Sequence, residues 1–266
     1  MSNPMVSVVI PAYNASKMIT ETLESVANQT YSNYEVIIVD DCSTDNTYDI
    51  CNAYCLNSEK FRIIKTKSNF GCPGGPRNLG VKNATGKYVA FLDADDLWHR
   101  NKLEFQVSEA LKLNCNFLST NLSRFDSSND FDSENVLSVY RVVKISYISQ
   151  LLNYQTPTSS VLVKRSLLIS NPFREEIEFK AREDIDCWLR IHKEVGFSRK
   201  LMLPLMGYRI CEGQISGDKL KMIKSTFYCY QNTDGIDNKL LNFVPVIATC
   251  THFLRSFFNR IFKRSI

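Results

Sequence analysis

Three carboxylates fall within four positions at Asp93, Asp95 and Asp96, directly after the apolar run YVAFL (88–92). Like charges crowded at one strand end repel unless a cation neutralises them. Oxygen donors on a loop suit Mg²⁺ or Mn²⁺, which can in turn bridge to phosphate oxygens. For this tetrad alone, a solvated acidic turn or the cap of a following helix is an open alternative. A second acidic pair, Asp40-Asp41, ends the run EVIIV (35–39), and capping explains two acidic strand ends less comfortably than one. Between them lies NFGCPGGPRNLG (69–80), a Gly/Pro-rich loop that leads into a helix and carries Arg77. Closely approaching backbone and one guanidinium suit a nucleotide diphosphate, and a surface turn with an exposed Arg fits the loop as well. Farther on, Glu183-Asp184 precedes Ile185, Trp188, Leu189 and Ile191 at helical spacing. Acids there are also favourable first-turn residues.

These groups need a frame. Short β-branched runs at 6–10, 35–39, 61–65 and 88–92 alternate with helical patterns at 17–28, 47–54 and 76–83. Such alternation predicts right-handed βαβ crossovers and a mostly parallel sheet flanked by helices, an α/β nucleotide-binding architecture. Ligands in such sheets lie beyond the carboxyl ends of the strands, where Pro11 to Asn14, Asp40-Asp41 and Asp93 to Asp96 fall. A polar stretch, 124–135, reads as a surface loop or boundary. A strand at 159–163, a helix at 184–194 and a strand at 201–210 follow. The expected division is a donor half (1–120), an acceptor half (121–217) and a C-terminal tail with amphipathic helices (218–266).

Composition narrows the class. The 266 residues are 44% hydrophobic and 23% charged, with ten Gly and eight Pro scattered. That excludes disordered, collagen-like and coiled-coil chains. A net charge of +4 is too small to argue for nucleic acid. Nine Cys without C-x-x-C or Cys/His zinc spacing read as reduced thiols in a cytoplasmic protein. Cys51 and Cys55 share one face of a helix. His99, His192 and His252 lack metal-ligand spacing and read as structural or exposed. The N-terminus carries no signal-peptide pattern, and the charge-free stretch 240–254 is shorter than the roughly 20 residues a membrane span requires. Five of the 32 basic residues and none of the 28 acidic ones lie in 239–266, which leaves 27 against 28 elsewhere. Leu254, Phe257, Phe258, Ile261 and Phe262 stand there at helical spacing among Arg255, Arg260, Lys263 and Arg264. A basic, aromatic-rich amphipathic helix suits an anionic membrane interface, and docking on protein is the alternative.

Four segments in order, VSVVIPAYN (6–14), EVIIVDDCSTDNT (35–47), NFGCPGGPRNLG (69–80) and GKYVAFLDADD (86–96), resemble the donor-binding half of a family 2 glycosyltransferase of GT-A fold. EDIDCWLRI (183–191) extends the resemblance into the acceptor half, so that it covers roughly 5–217. The resemblance implies that Pro11 and Tyr13 line the base pocket and that Asp41, with Asp40 as alternative, accepts the base N3–H. That contact would favour uracil over cytosine. It implies that Arg77 helps hold the nucleotide, Asp93 sits near the ribose, and Asp95 binds the divalent metal carrying the diphosphate. Asp96 would assist or cap a helix containing Trp98. Asp184 matches the catalytic base, with Glu183 beside it, and Trp188 is a support for the acceptor or a core residue. In GYRICEGQIS (207–216), Arg209 matches a residue that closes over the diphosphate, while Cys211 stands where a His is common. With that departure, the resemblance does not extend to a metal or phosphate contact from this position.

No Q-x-x-R-W motif of processive synthases is present. The resemblance therefore implies an inverting, non-processive transfer of one sugar from a nucleotide sugar, a UDP-hexose or UDP-N-acetylhexosamine. The acceptor it implies, taken with the tail, is a lipid-linked saccharide of O-antigen or capsule type at the inner face of the cytoplasmic membrane. Two other readings are open from the residues alone. A Mg²⁺-dependent phosphohydrolase could use Asp93-Ala94-Asp95, although that motif belongs on a first strand. A non-catalytic nucleotide-sugar binding protein would have no need of Asp184.

Overall fold

Period-two alternation assigns the apolar residues of the first strands to two different cores. In the computed structural model, which describes residues 3–127, 131, 140–153, 156–210 and 219–233, β1 (Val6–Ala12), β2 (Tyr34–Asp40), β3 (Phe61–Lys65) and β4 (Tyr88–Phe91) form parallel ladders in the order β3-β2-β1-β4. Val6, Val8, Ile10, Val36, Ile38, Tyr88 and Ala90 face one core, and Val9, Ile37, Val39, Val89 and Phe91 face the other. Helices α1 (Ile19–Ala27), α2 (Thr47–Leu56) and α4 (Lys102–Lys112) cover the first face. The second is covered by α3 (Gly74–Asn83), α6 (Arg165–Ser170) and α7 (Glu183–Val195). Apolar side chains on both faces are what an internal parallel sheet requires.

Beyond β4 the sheet becomes mixed. The strand β8 (Leu162–Lys164) runs antiparallel to β4 and to β6 (Phe117–Phe125), while β9 (Phe197–Arg209) is parallel to β6 and antiparallel to β5 (Leu97–Trp98) and β7 (Val142–Ser146). The expected boundary near 120 falls inside β6, so one sheet runs through both halves. The strand expected at 159–163 starts later, because residues 158–160 form a 3₁₀ turn. Trp98 lies in β5 and not in a helix, so Asp96 caps nothing. α5 (Tyr147–Leu152) and α8 (Lys219–Asn232) pack against α7 through Leu151, Ile185, Leu189 and Tyr230. Most of the polar stretch 124–135, all of 234–266 and Cys211 lie outside the described residues. No described helix is long and apolar enough to cross a membrane.

The glycines at 74, 75 and 80 serve packing. A Cβ on Gly80 would meet Val9 Cγ1 at 2.3 Å, and one on Gly74 would meet the Arg174 carbonyl oxygen at 2.2 Å. Close approach of backbone is thus made by α3 to the sheet and to the segment before α7. The same loop lines the cavity described below through Asn69, Gly71, Cys72, Pro73, Pro76 and Arg77.

At the opposite end from the strand carboxyl termini, Glu35 ties three segments. Its Oε1 accepts from Ser7 Oγ at 2.6 Å and from the Thr85 N–H and hydroxyl at 2.7 Å each, and Arg62 pairs with Oε2. Burial opposes ionisation, yet these donors hold the carboxyl down at about 2 from an ordinary 4.5. A depressed carboxylate stabilises the fold above its unfolded pKa, and that contribution is lost as pH falls through the folded value. Glu35→Gln is expected to lower stability by about 2 kcal/mol at neutral pH. In denaturant titrations the difference from wild type should shrink as pH falls from 4.5 towards 2.

Candidate active site

The carboxyl ends of β1, β2 and β4 open into a cavity of about 710 Å³, lined among others by Pro11, Tyr13, Asp41, Arg77, Asp93 and Asp95. On its other side stand Pro157 to Ser159, Lys180, Arg182 and Asp184, with Met206 and Tyr208 of β9. The loops after β1 and β2 are laced together. Asn14, at φ 48°, donates its N–H to Ser43 Oγ at 3.0 Å and accepts from the Thr44 N–H at 2.8 Å. Tyr13 is 53% exposed on this rim, an aromatic face open to stacking.

Adjacent acids are separated by the pleat. Asp40 shares the face of Val36 and Ile38, is fully buried and accepts from the Ser43 N–H at 3.3 Å. It does not line the cavity. Asp41 does, and both its oxygens accept the Phe70 N–H at 3.1 Å, with Thr66 Oγ1 on Oδ1 at 3.1 Å. Burial pushes the Asp41 carboxyl up, with the Asp40 charge adding to the rise, while Phe70 and Thr66 oppose it.

The three acids after β4 have three environments. Asp93 donates its N–H to Ser159 Oγ at 3.0 Å and pairs through Oδ1 with Arg77 at 2.7 Å. Asp96 is buried; it accepts from Ser159 Oγ at 2.7 Å and from the Arg209 N–H at 3.2 Å. Burial and the carboxylates of Asp95 and Asp93 push the Asp96 carboxyl well above the usual range. Through Ser159 and the Arg209 N–H, Asp96 ties the acidic loop to β9. Asp95 stands between them at the cavity, half-buried, its carbonyl accepting from Arg209 Nε at 2.8 Å. Arg209 also donates to Glu21 Oε2 at 2.5 Å and lies over Phe125. Arg209 therefore braces the acidic loop from behind and is not among the cavity lining.

Across the cavity, α7 brings Glu183 and Asp184. Arg77, 4% exposed, donates to Glu183 Oε1 at 2.7 Å, and Glu183 is 3% exposed. Burial pushes the Glu183 carboxyl up against the pull of Arg77, and the Arg77 guanidinium is held firmly protonated by Asp93 and Glu183 despite its own burial. Asp184 accepts from Thr158 Oγ1 at 3.1 Å and from the Ile185 N–H at 2.7 Å. Trp188 is wholly buried against Phe91, Phe117 and Phe173, a core residue and no acceptor support. His192 is likewise structural, between the Trp188 carbonyl and Ser198 Oγ. Sequence reasoning missed Ser159, whose hydroxyl serves both Asp93 and Asp96 and whose carbonyl takes Trp98 Nε1 at 2.7 Å. A hydroxyl in TPTSS gives no signal of its own.

The family model of Glycosyl transferase family 2 matches residues 7–168. The chain is a family 2 glycosyltransferase. Among similar proteins, the UDP-Glc:alpha-D-GlcNAc-diphosphoundecaprenol beta-1,3-glucosyltransferase WfgD of Escherichia coli is 33% identical over 226 residues, covering 84% of each chain. S. aureus TarS, solved in complex with UDP-GlcNAc, aligns at TM-score 0.69 and 21% identity over 94% of this chain and 72% of TarS. The mannosyltransferase PcManGT of Pyrobaculum calidifontis, solved with GDP-Man and Mn²⁺, aligns at 0.67 and 18% over 94% and 73%. The mixed sheet flanked by helices is thus the GT-A fold.

In this glycosyltransferase no three His, Cys, Asp or Glu side chains among the described residues stand together as a cation cage. The donor set fits a metal held largely by its substrate. Asp93, paired with Arg77, and Asp95 both line the cavity, so the strand-end loop offers carboxylate oxygens of the kind a divalent cation takes. Mg²⁺ and Mn²⁺ accept one or two carboxylates with phosphate oxygens and water completing the shell. For the buried Arg77–Glu183 pair, Arg77→Met is expected to cost about 3–5 kcal/mol, because it strands Glu183. Adding Glu183→Leu should recover part of that loss in equilibrium unfolding; a double variant less stable than Arg77→Met would contradict this account.

Proposed function

We propose that the chain transfers one sugar, with inversion and without processivity, from a UDP-hexose or UDP-N-acetylhexosamine to a hydroxyl of a lipid-linked saccharide in cell-surface polysaccharide synthesis. The observation that carries this reading is that one cavity is lined by carboxylates from two separate elements: Asp95 on the strand-end loop and Asp184 on the first turn of α7. Direct displacement at an anomeric carbon needs a base beside the acceptor hydroxyl and charge stabilisation at the departing diphosphate.

In this reading Tyr13 stacks on the base with Pro11 beneath it, and Asp41 accepts the uracil N3–H with an oxygen that Phe70 and Thr66 have already oriented. Asp95 holds Mn²⁺ or Mg²⁺, which supplies charge neutralisation to the diphosphate. Asp93, fixed by Arg77 and Ser159, faces the ribose. Asp184 takes the proton of the acceptor hydroxyl, its carboxylate oriented by Thr158 and the Ile185 N–H. The lipid-linked acceptor draws support from the WfgD relative, whose name specifies a diphosphoundecaprenol acceptor. The 239–266 segment, with five basic residues and no acid, supports attachment to an anionic membrane surface on the cytoplasmic side.

Incubation with Mn²⁺, a panel of nucleotide sugars and lipid-linked acceptor mimics tests the reading. Asp184→Asn is expected to lower transfer by about 10²–10⁴-fold while UDP binding is kept. Asp95→Ala should weaken metal-dependent UDP binding itself. Normal transfer by Asp184→Asn would remove it as the base, and release of phosphate from monoesters without any sugar transfer would overturn the function. Deleting 239–266 is expected to release the protein from anionic liposomes and leave neutral liposomes unaffected; unchanged sedimentation would sink the membrane assignment.

A further inference from the structure

The cations of the cavity are unequally committed. Arg77 on the strand-end wall is taken up by Asp93 and Glu183 at 2.7 Å each. On the other wall Lys180 and Arg182 line the same cavity, four and two residues before Asp184, and neither is ion-paired with a described residue.

Arg182 is held in place. Its Nε donates to Thr226 Oγ1 of α8 at 2.6 Å and its Nη1 to the Ala181 carbonyl at 2.9 Å, while the Arg182 carbonyl meets Cys229 Sγ at 3.6 Å. Only part of the guanidinium fork is used in this way, and Nη2 has no partner among the described residues. Between the two cations Ala181 sits at φ 65°, a left-handed conformation that costs an alanine about 1 kcal/mol. Phe179, packed on Tyr228 at 5.4 Å, fixes the residue just before Lys180. The segment is thus a braced turn that keeps two positive groups in a cavity, and the neutral hydroxyls of a sugar do not call for them. Charge-assisted contacts to phosphate oxygens do.

We propose that Lys180 and Arg182 form an anion subsite for the diphosphate that joins the acceptor sugar to its lipid, distinct from the site of the donor diphosphate. The proposal rests on the acceptor class given above. Its placement follows from in-line displacement: the base meets the acceptor hydroxyl on the side opposite the departing donor diphosphate. Residues flanking Asp184 on its own segment therefore belong to the acceptor.

Two measurements on the full chain test it. In the first, a short-chain alkyl diphosphate is titrated into protein saturated with UDP and Mn²⁺, so that the donor site is filled. Wild type is expected to bind it, Lys180→Ala to bind on the order of tenfold more weakly, and Lys180→Arg to keep most of the affinity. Because Arg182 also contacts Thr226, Arg182→Lys is its variant, with the same direction expected. In the second, one acceptor sugar is offered on an alkyl chain through a diphosphate and, separately, through a neutral glycosidic link. Lys180→Ala should raise KM for the diphosphate acceptor only, leaving the neutral acceptor and the donor KM unchanged. Failure of UDP-saturated wild type to bind the alkyl diphosphate overturns the proposal, as does a rise in donor KM, which would assign the cations to the donor. Diphosphate binding lost with Lys180→Ala, combined with no sugar transfer to either acceptor, would keep the subsite and defeat the acceptor reading.

Discussion

A guanidinium almost wholly withdrawn from water joins the two walls of the cavity. Arg77, on the first turn of α3, reaches Asp93 after β4 and Glu183 at the start of α7. Taking Arg77 and Glu183 out of water costs several kcal/mol per ion, and attraction offsets this only where geometry is close. Well-packed apolar side chains of similar volume would stabilise the fold about as well. They would not fix the direction of two carboxylates at the edge of a polar cavity. Two short bonds from one planar fork do so, because the fork cannot flex between its two ends. The strand-end acids and the helix bearing Asp184 therefore hold a set separation.

Packing makes that separation rigid. Trp188 lies one helical turn beyond Asp184 and is buried among Phe91, Phe117 and Phe173, so α7 is locked to the sheet below the cavity. Above, Ser159 bridges the Asp93 N–H and the Asp96 carboxyl, and Arg209 grips the Asp95 carbonyl. Asp95 thus has its backbone clamped on both sides while its side chain faces the cavity. Such clamping holds the acidic loop at the cavity in one position.

The donor half was legible because its information is local. Short β-branched runs, followed by Asp40-Asp41 and by Asp93, mark the strands, and the strand ends mark the site. The pleat that separates Asp40 from Asp41 was not used, since a sequence alone does not say which face of the sheet borders the cavity. Arg77 was legible as a functional cation but not as a bridge, because Glu183 lies 106 positions away. Glycines at 74 and 80 carried a signal of close approach, and the sheet and the chain at Arg174 are among what they approach. Ser159 and the turn around it were invisible, since a serine hydroxyl acquires its role only from tertiary neighbours.

This difference has a physical basis. One wall is set by β1, β2 and β4, whose backbone ladders admit no local change without shifting buried side chains on both faces. The other is set by the 3₁₀ turn at Thr158–Ser160, the braced turn at 180–182 and the first turn of α7. Such short elements can exchange side chains, and even length, while the ladder behind them stands. The first wall is therefore constrained by the sheet itself. The second is written in a few turn residues, held at a set distance from the first by Arg77.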